Sequence, residues 1–232
     1  MKTFRSLLLL AWLAFASTLS ATTTNQLLTI TAAWRYQTNN LDGVNWTATN
    51  YNHSAWLGSS NALFYIESST LLAPKNTPLP PKAGGALPCN TYYFRTTFNL
   101  TNAAGVTSLG FSNLVDDGAV YYLNGVEVQR LYMADGVVTY TNLSSESHEA
   151  DAWDNFTLTG NALTNLVTGT NTLAAEVHQT SSSSSDVVFG AAVTAFYASS
   201  TNVTRGPYLQ RSSTNRIVIR WRTDVATHSR VD

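Results

Sequence analysis

Two polar side chains on one extended run stand out for their chemistry. In "NTLAAEVHQ", Glu176 and His178 lie two residues apart, so a strand puts both on one face. A carboxylate beside an imidazole can meet a polar ligand or hold one Ca²⁺ or Zn²⁺. The same pair serves equally as a solvated or hydrogen-bonded strand face. A second candidate is the acidic loop "ESHEADAWD", with Glu146, Glu149, Asp151 and Asp154. Carboxylate oxygens suit Ca²⁺, but the spacing is not that of an EF-hand, and a solvated loop would use the same residue types. The third is an aromatic group, Trp46, Tyr51 and Trp56, set among polar turn residues. Sugar binding needs exposed rings with polar groups in a cleft. On that basis Trp46, Tyr51, Trp56, Glu176 and His178 are the candidate carbohydrate-binding residues, the alternative for the rings being packing at a sandwich edge.

Catalysis has no comparable signal. His53, His148, His178 and His228 fall outside the spacing of paired metal ligands. No Gly-x-Ser-x-Gly, phosphate-cradling glycine loop or Cys/His arrangement occurs, and nothing singles out two carboxylates for glycoside hydrolysis. The chain is expected to hold neither a catalytic site nor a cofactor.

The 232 residues carry a formal net charge of -1 and no basic stripe, which argues against a nucleic-acid partner. With 44% hydrophobic and 12% charged residues, the chain has the material for a packed core. Lys2 and Arg5 precede the apolar run Leu7 to Ala16, and small residues follow, so residues 1–21 read as an export signal. The run is shorter than the roughly 20 apolar residues of a membrane span. The expectation is a secreted or extracytoplasmic chain, periplasmic or extracellular, with no membrane association after cleavage. The lone Cys89, read as a half-buried loop residue, allows no internal disulfide, so stability must rest on the core.

The elements that would position these residues are strands. Alternation with period 2 dominates. Tyr92, Phe94, Thr96, Phe98 and Leu100 share one face, with Tyr93, Arg95, Thr97 and Asn99 on the other. Leu109 and Phe111 keep the same step; so do Leu173, Ala175 and Val177, and so do Val187, Phe189, Ala191, Val193 and Ala195. Such patterns predict half-buried antiparallel strands. Asn124-Gly125 between two strand runs predicts a type I′ hairpin, and Asp116-Asp117-Gly118 a turn before it. Five of the six prolines fall between Pro74 and Pro88, a segment unsuited to a central strand. One helical turn is expected within "LTNLVTGTN" before Gly169. Together these imply an all-β chain built as a jelly-roll β-sandwich.

Several fragments carry a resemblance: "GVNWTATNYNHSAW", "TYYFRTTFNL", "LVDDGAVYYLNGVEVQRL" and "GTNTLAAEVHQTSSSSSDVVFGAAVTA". They resemble the galactose-binding-domain-like β-sandwich of secreted bacterial multidomain proteins, expected over residues 22–200. That fold hosts sugar binding, protein contacts and structural roles, so it implies a glycan partner only weakly. From residue 201 the chain changes character. "RGPYLQ", "NRIVIRWRTD" and "HSRVD" look like the start of the fibronectin type III-like N-terminal domain of purple acid phosphatases. An intact sandwich of that type takes about 100 residues, so residues 201–232 are expected to be an incomplete second sandwich. The resemblance implies a parent metallophosphoesterase whose dinuclear metal centre lies in a C-terminal catalytic domain missing from this chain. That family's metal ligands are Asp, Asn, His and Tyr; Asp116-Asp117-Gly118 matches its Asp-x-Gly motif by letters, without the Gly-Asp and Gly-Asn-His motifs that follow, and reads as a turn. Ile217, Ile219 and Trp221 are expected to share a strand face whose apolar side is incompletely covered.

Overall fold

The computed structural model describes residues 23–85, 87–198, 203–213 and 216–223. The segment read as an export signal lies outside the described residues. The chain divides into two compact units, residues 23–198 and a second containing residues 199–232.

The larger unit is an all-β jelly-roll sandwich. One sheet contains β1 (Thr23–Leu28), β4 (Phe64–Ile66), β5 (Thr77–Pro78), β7 (Val106–Asp116), β10 (Asp154–Leu158) and β12 (Val187–Tyr197). Its order is β10-β7-β12-β4-β5, with β1 paired along the rest of β12. The other contains β2 (Ala33–Gln37), β3 (Leu57–Asn61), β6 (Thr91–Leu100), β8 (Gly118–Leu123), β9 (Val126–Leu131) and β11 (Gly169–His178). Its order is β3-β2-β6-β11-β8-β9. Pairing is antiparallel throughout except for the edge pair β4–β5.

The alternating apolar residues meet between the sheets. Tyr92, Phe94, Phe98, Leu109, Phe111, Leu173, Val177, Val187, Phe189 and Val193 all belong to the central core. Phe94 and Phe189 stack at 4.3 Å across it, with Trp34 edge-on to Phe189 at 5.3 Å. Such ring pairs add to the burial of area that drives the layers together. Asn124 and Gly125 take positive φ of 50° and 89°, the conformation the β8–β9 hairpin requires. Among its described residues, the proline-rich segment supplies only the two-residue edge strand β5, and it tucks Leu79 inward.

Three sequence expectations need correction. The second faces of β6 and β11 are not solvated: Tyr93, Arg95, Ala174, Glu176 and His178 are each under 5% exposed. The helical turn forms earlier, at Gly160–Leu163, while Gly169 at φ 102° opens β11. Cys89 is buried rather than half-buried; its backbone N–H donates to the Tyr92 hydroxyl at 2.9 Å.

The second unit contains a two-stranded antiparallel ribbon, β13 (Val203–Ser213) and β14 (Arg216–Thr223). On β14, Ile219 is 41% exposed and Trp221 is half-buried. The side chain of Ile217 lies outside the described residues.

Candidate functional site

Two places collect the polar and titratable side chains of the sandwich. The first lies on the outer face of the β6–β11 sheet. The segment between β2 and β3 folds across that face and seats Trp46 edge-on to Tyr93 at 4.9 Å and to Tyr122 at 5.5 Å. Trp56 packs beside Trp46 and under Tyr51. Trp46 and Trp56 are 6% and 7% exposed, so neither offers a ring face to a sugar; Tyr51 is half-buried at the rim.

Arg95, on β6, holds that segment in place. Its guanidinium donates to the carbonyls of Trp46 and Ala48, and its Nε donates to His53 Nδ1 at 2.9 Å. Burial first, then the charges of Arg95 and Arg35, lower the pKa of His53, which keeps the imidazole neutral and able to accept. Pattern reading missed Arg95, because an arginine on an alternating strand reads as solvent-facing. The signal available was a charged residue opposite the Trp-rich, turn-rich segment.

Glu176 and His178 lie under the same cover. Glu176 Oε1 accepts from the Tyr122 hydroxyl at 2.5 Å. His178 Nδ1 donates to the Asn142 carbonyl at 2.9 Å and lies 3.1 Å from Thr91 Oγ1. His178 Nε2 stands 3.2 Å from Glu176 Oε2 but out of line for a hydrogen bond. The structure thus brings Glu176 and the two tryptophans to one cluster through Tyr93 and Tyr122, with His178 one step along the strand. All of them sit inside the fold.

The second place is at one end of the other sheet, on its outer face. Val188 pairs with Asp116, and Val187 pairs with Ile66. Continuing that antiparallel register sets Asp186 opposite Glu67 and diagonal to Asp116. Alternation directs all three outward, in step with Leu63, Leu114 and Val188, which form a small apolar cluster with Ala150. Glu149 arrives beside Ala150 from the loop between β9 and β10. Glu67, Asp116, Glu149 and Asp186 each bring a carboxylate oxygen to within 4.8 Å of the others. Asp116 is 1% exposed, and its Oδ2 has no hydrogen-bond partner. Burial first, then the charges of Asp186, Asp117, Glu149 and Glu67, push the Asp116 carboxyl up to about 8.

Asp117 frames this place without joining it. Its two oxygens accept from the backbone N–H groups of His148 (3.1 Å) and Thr180 (2.7 Å), pinning the loops that lead to Glu149 and Asp186. Of the acidic loop singled out in the sequence, only Glu149 takes part. Asp154 begins β10, accepts from the Tyr132 hydroxyl at 2.6 Å and lies 3.2 Å from His148 Nε2. Glu146 and Asp151 are exposed.

No family model matches the chain, and no curated protein matches it. Solved structures do align with it at low identity. Bacteroides uniformis beta-glucuronidase 2, covalently bound to cyclophellitol-6-carboxylate aziridine, shares 13% identity with a TM-score of 0.45, covering 75% of this chain and 18% of that one. A glycosyl hydrolase family 2 member from Bacteroides cellulosilyticus DSM 14838 shares 12% with a TM-score of 0.44, covering 81% and 22%. A beta-glucuronidase from an uncultured Clostridium sp. shares 10% with a TM-score of 0.42, covering 92% and 36%. The chain thus spans 18% to 36% of the length of these enzymes. At such identities nothing of what they act on transfers to this chain. No link to purple acid phosphatases emerges from these comparisons.

Proposed function

We propose that residues 23–198 are a non-catalytic accessory module of an exported multidomain protein, and that the ribbon β13–β14 opens a second sandwich in that protein. The observation behind this reading is β14, where Ile219 is 41% exposed and Trp221 half-buried on a two-stranded ribbon. An isolated ribbon of two strands is marginal in water; a third strand or a packed apolar face is needed for independent stability.

The finer proposal follows the resemblance of "RGPYLQ" and "NRIVIRWRTD". The parent is then a metallophosphoesterase of the purple acid phosphatase kind, hydrolysing phosphate esters in a catalytic domain beyond the second sandwich. Its support is confined to those fragments. The acidic group around Asp116 does not fit a dinuclear phosphatase centre, because it has no histidine, whereas that ligand set includes His, Asn and Tyr. Burial of Trp46, Trp56, Glu176 and His178 means that glycan recognition adds no support.

The test is hydrolysis of p-nitrophenyl phosphate by this chain and by the complete product of its gene, each supplied in turn with iron, zinc and manganese. The expected result is background turnover for the chain and metal-dependent turnover for the complete product. Inactivity of the complete product with every metal would remove the phosphatase parent. It would leave the alternative of an extracellular binding or structural β-sandwich protein with no enzyme domain.

A further inference from the structure

We infer that Glu67, Asp116, Glu149 and Asp186 form a calcium site that ties together four separate segments of the sandwich. This inference is independent of the proposed parent enzyme. Two observations carry it. The four ligand oxygens lie within 4.8 Å of one another, from a β4 end, a β7 end, a loop and the residue before β12. Separately, Asp116, a member of this group, is 1% exposed, and its carboxylate Oδ2 has no hydrogen-bond donor. A buried carboxylate without a partner is costly, and such groups are paired or bind a metal.

Donors from the protein itself do not answer this need. The ion pairs Arg130–Glu127, His148–Asp154 and His178–Glu176 involve none of the four carboxylates. Lys75 is nearby but donates to the carbonyls of Glu67, Ser68 and Ser69. The Ser69 N–H bonded to Glu67 and the Ser185 hydroxyl bonded to Asp186 serve the rim and leave Asp116 unserved. A proton on Asp116 would still leave three carboxylates sharing one small space.

The donor chemistry selects the ion. All four ligands are carboxylate oxygens, the preference of hard cations, with no nitrogen or sulfur to favour zinc. Four oxygens within 4.8 Å of one another can surround one Ca²⁺ with bonds of about 2.4 Å, and the flexible coordination of Ca²⁺ suits ligands from four segments better than the near-ideal octahedron that Mg²⁺ demands. Glu149 is exposed, so the site opens to solvent on one side, where water would complete the shell. Asp117, fixed between two backbone amides, is a positioning residue for the loops that bring Glu149 and Asp186.

The experiment uses the full chain freed of metal with EDTA and then dialysed. Calorimetric titration with CaCl₂ is expected to show one ion per chain, and saturating Ca²⁺ to raise Tm by roughly 5 °C. Asp116→Asn is expected to abolish that rise while melting no lower than the metal-free wild type, because a neutral amide replaces a buried carboxyl that is costly to ionise beside three others. Glu146→Gln, in the same loop but outside the group, is expected to keep the full rise. Asp186→Asn carries the same test if Asp116→Asn does not fold. Absence of a Ca²⁺-dependent rise in the wild type would overturn the inference. So would a full rise in both Asp116→Asn and Asp186→Asn, or a larger rise with Mg²⁺ or Zn²⁺ than with Ca²⁺.

Discussion

Replacing Phe189 with alanine is expected to lower stability by about 3–5 kcal/mol, the usual cost of truncating a fully buried phenylalanine. Phe189 lies near the start of β12 with no exposure. It stacks on Phe94 at 4.3 Å, receives the edge of Trp34 at 5.3 Å, and lies 6.4 Å from Tyr121. Those three residues come from three strands of the opposite sheet, so the ring joins the two layers of the sandwich. Truncation leaves a cavity that neighbours anchored in strands cannot collapse around, which adds to the lost transfer energy. In a domain of this size the expected fall in Tm is roughly 10 °C. Urea unfolding should show a lower midpoint with an unchanged slope, since the surface exposed on unfolding stays the same. Phe189→Leu, which keeps much of the volume, should lose less. Equal losses for the two variants would mean that ring packing is not what holds the layers.

Arg95→Ala is the second large effect, and it acts on the outer face. The substitution removes every donor that the Trp46 and Ala48 carbonyls receive from β6. The Ala48 carbonyl keeps the Tyr51 N–H at 3.1 Å, but the Trp46 carbonyl and His53 Nδ1 lose their donor; at about 1–3 kcal/mol for each unmet polar group, a loss of about 3 kcal/mol is expected. The segment carrying Trp46 and Trp56 should loosen, seen as a red shift of tryptophan emission that Phe189→Ala at the same fraction folded does not match. His53 gives a separate readout. In the folded wild type its pKa lies below 6.5, through burial and then the charges of Arg95 and Arg35. A depressed imidazole pKa contributes stability that is present above the unfolded value and lost as pH falls towards the folded one. Arg95→Ala should bring the NMR titration of His53 back towards 6.5. Unchanged emission together with an unchanged His53 titration would mean that ring packing alone holds the segment.

The inner faces of the strands were legible in the sequence because their signal is local. Phe94, Phe98, Phe111, Val187 and Phe189 alternate with smaller or polar residues, and a strand converts that alternation directly into one buried face. The Asn124-Gly125 turn was legible for the same reason, its positive φ being a property of two adjacent residues. The outer face of β6 and β11 was not. Tyr93, Arg95, Glu176 and His178 have the composition of a solvated face, and only the distant segment around Trp46 buries them. The carboxylate group was less legible still. Its members stand at residues 67, 116, 149 and 186, and it is the pairing register of β4, β12 and β7 that brings three of them together. Local reading weighted Glu146, Asp151 and Asp154 with Glu149 because they are neighbours in sequence, but Asp154 is committed to Tyr132 and His148.

The accessory-module reading holds that residues 23–198 are stable by themselves while β13–β14 awaits further strands. Hydrogen exchange of the full chain tests this most directly, because a cooperative core opens only with global unfolding and a marginal ribbon opens locally. The predicted result is slow exchange, near the global limit, for the amides of β6, β11 and β12, with the amides of β14 exchanging close to unfolded rates. Protection of β14 equal to that of β11 would contradict the account, since the ribbon would then be a finished part of this chain's own fold.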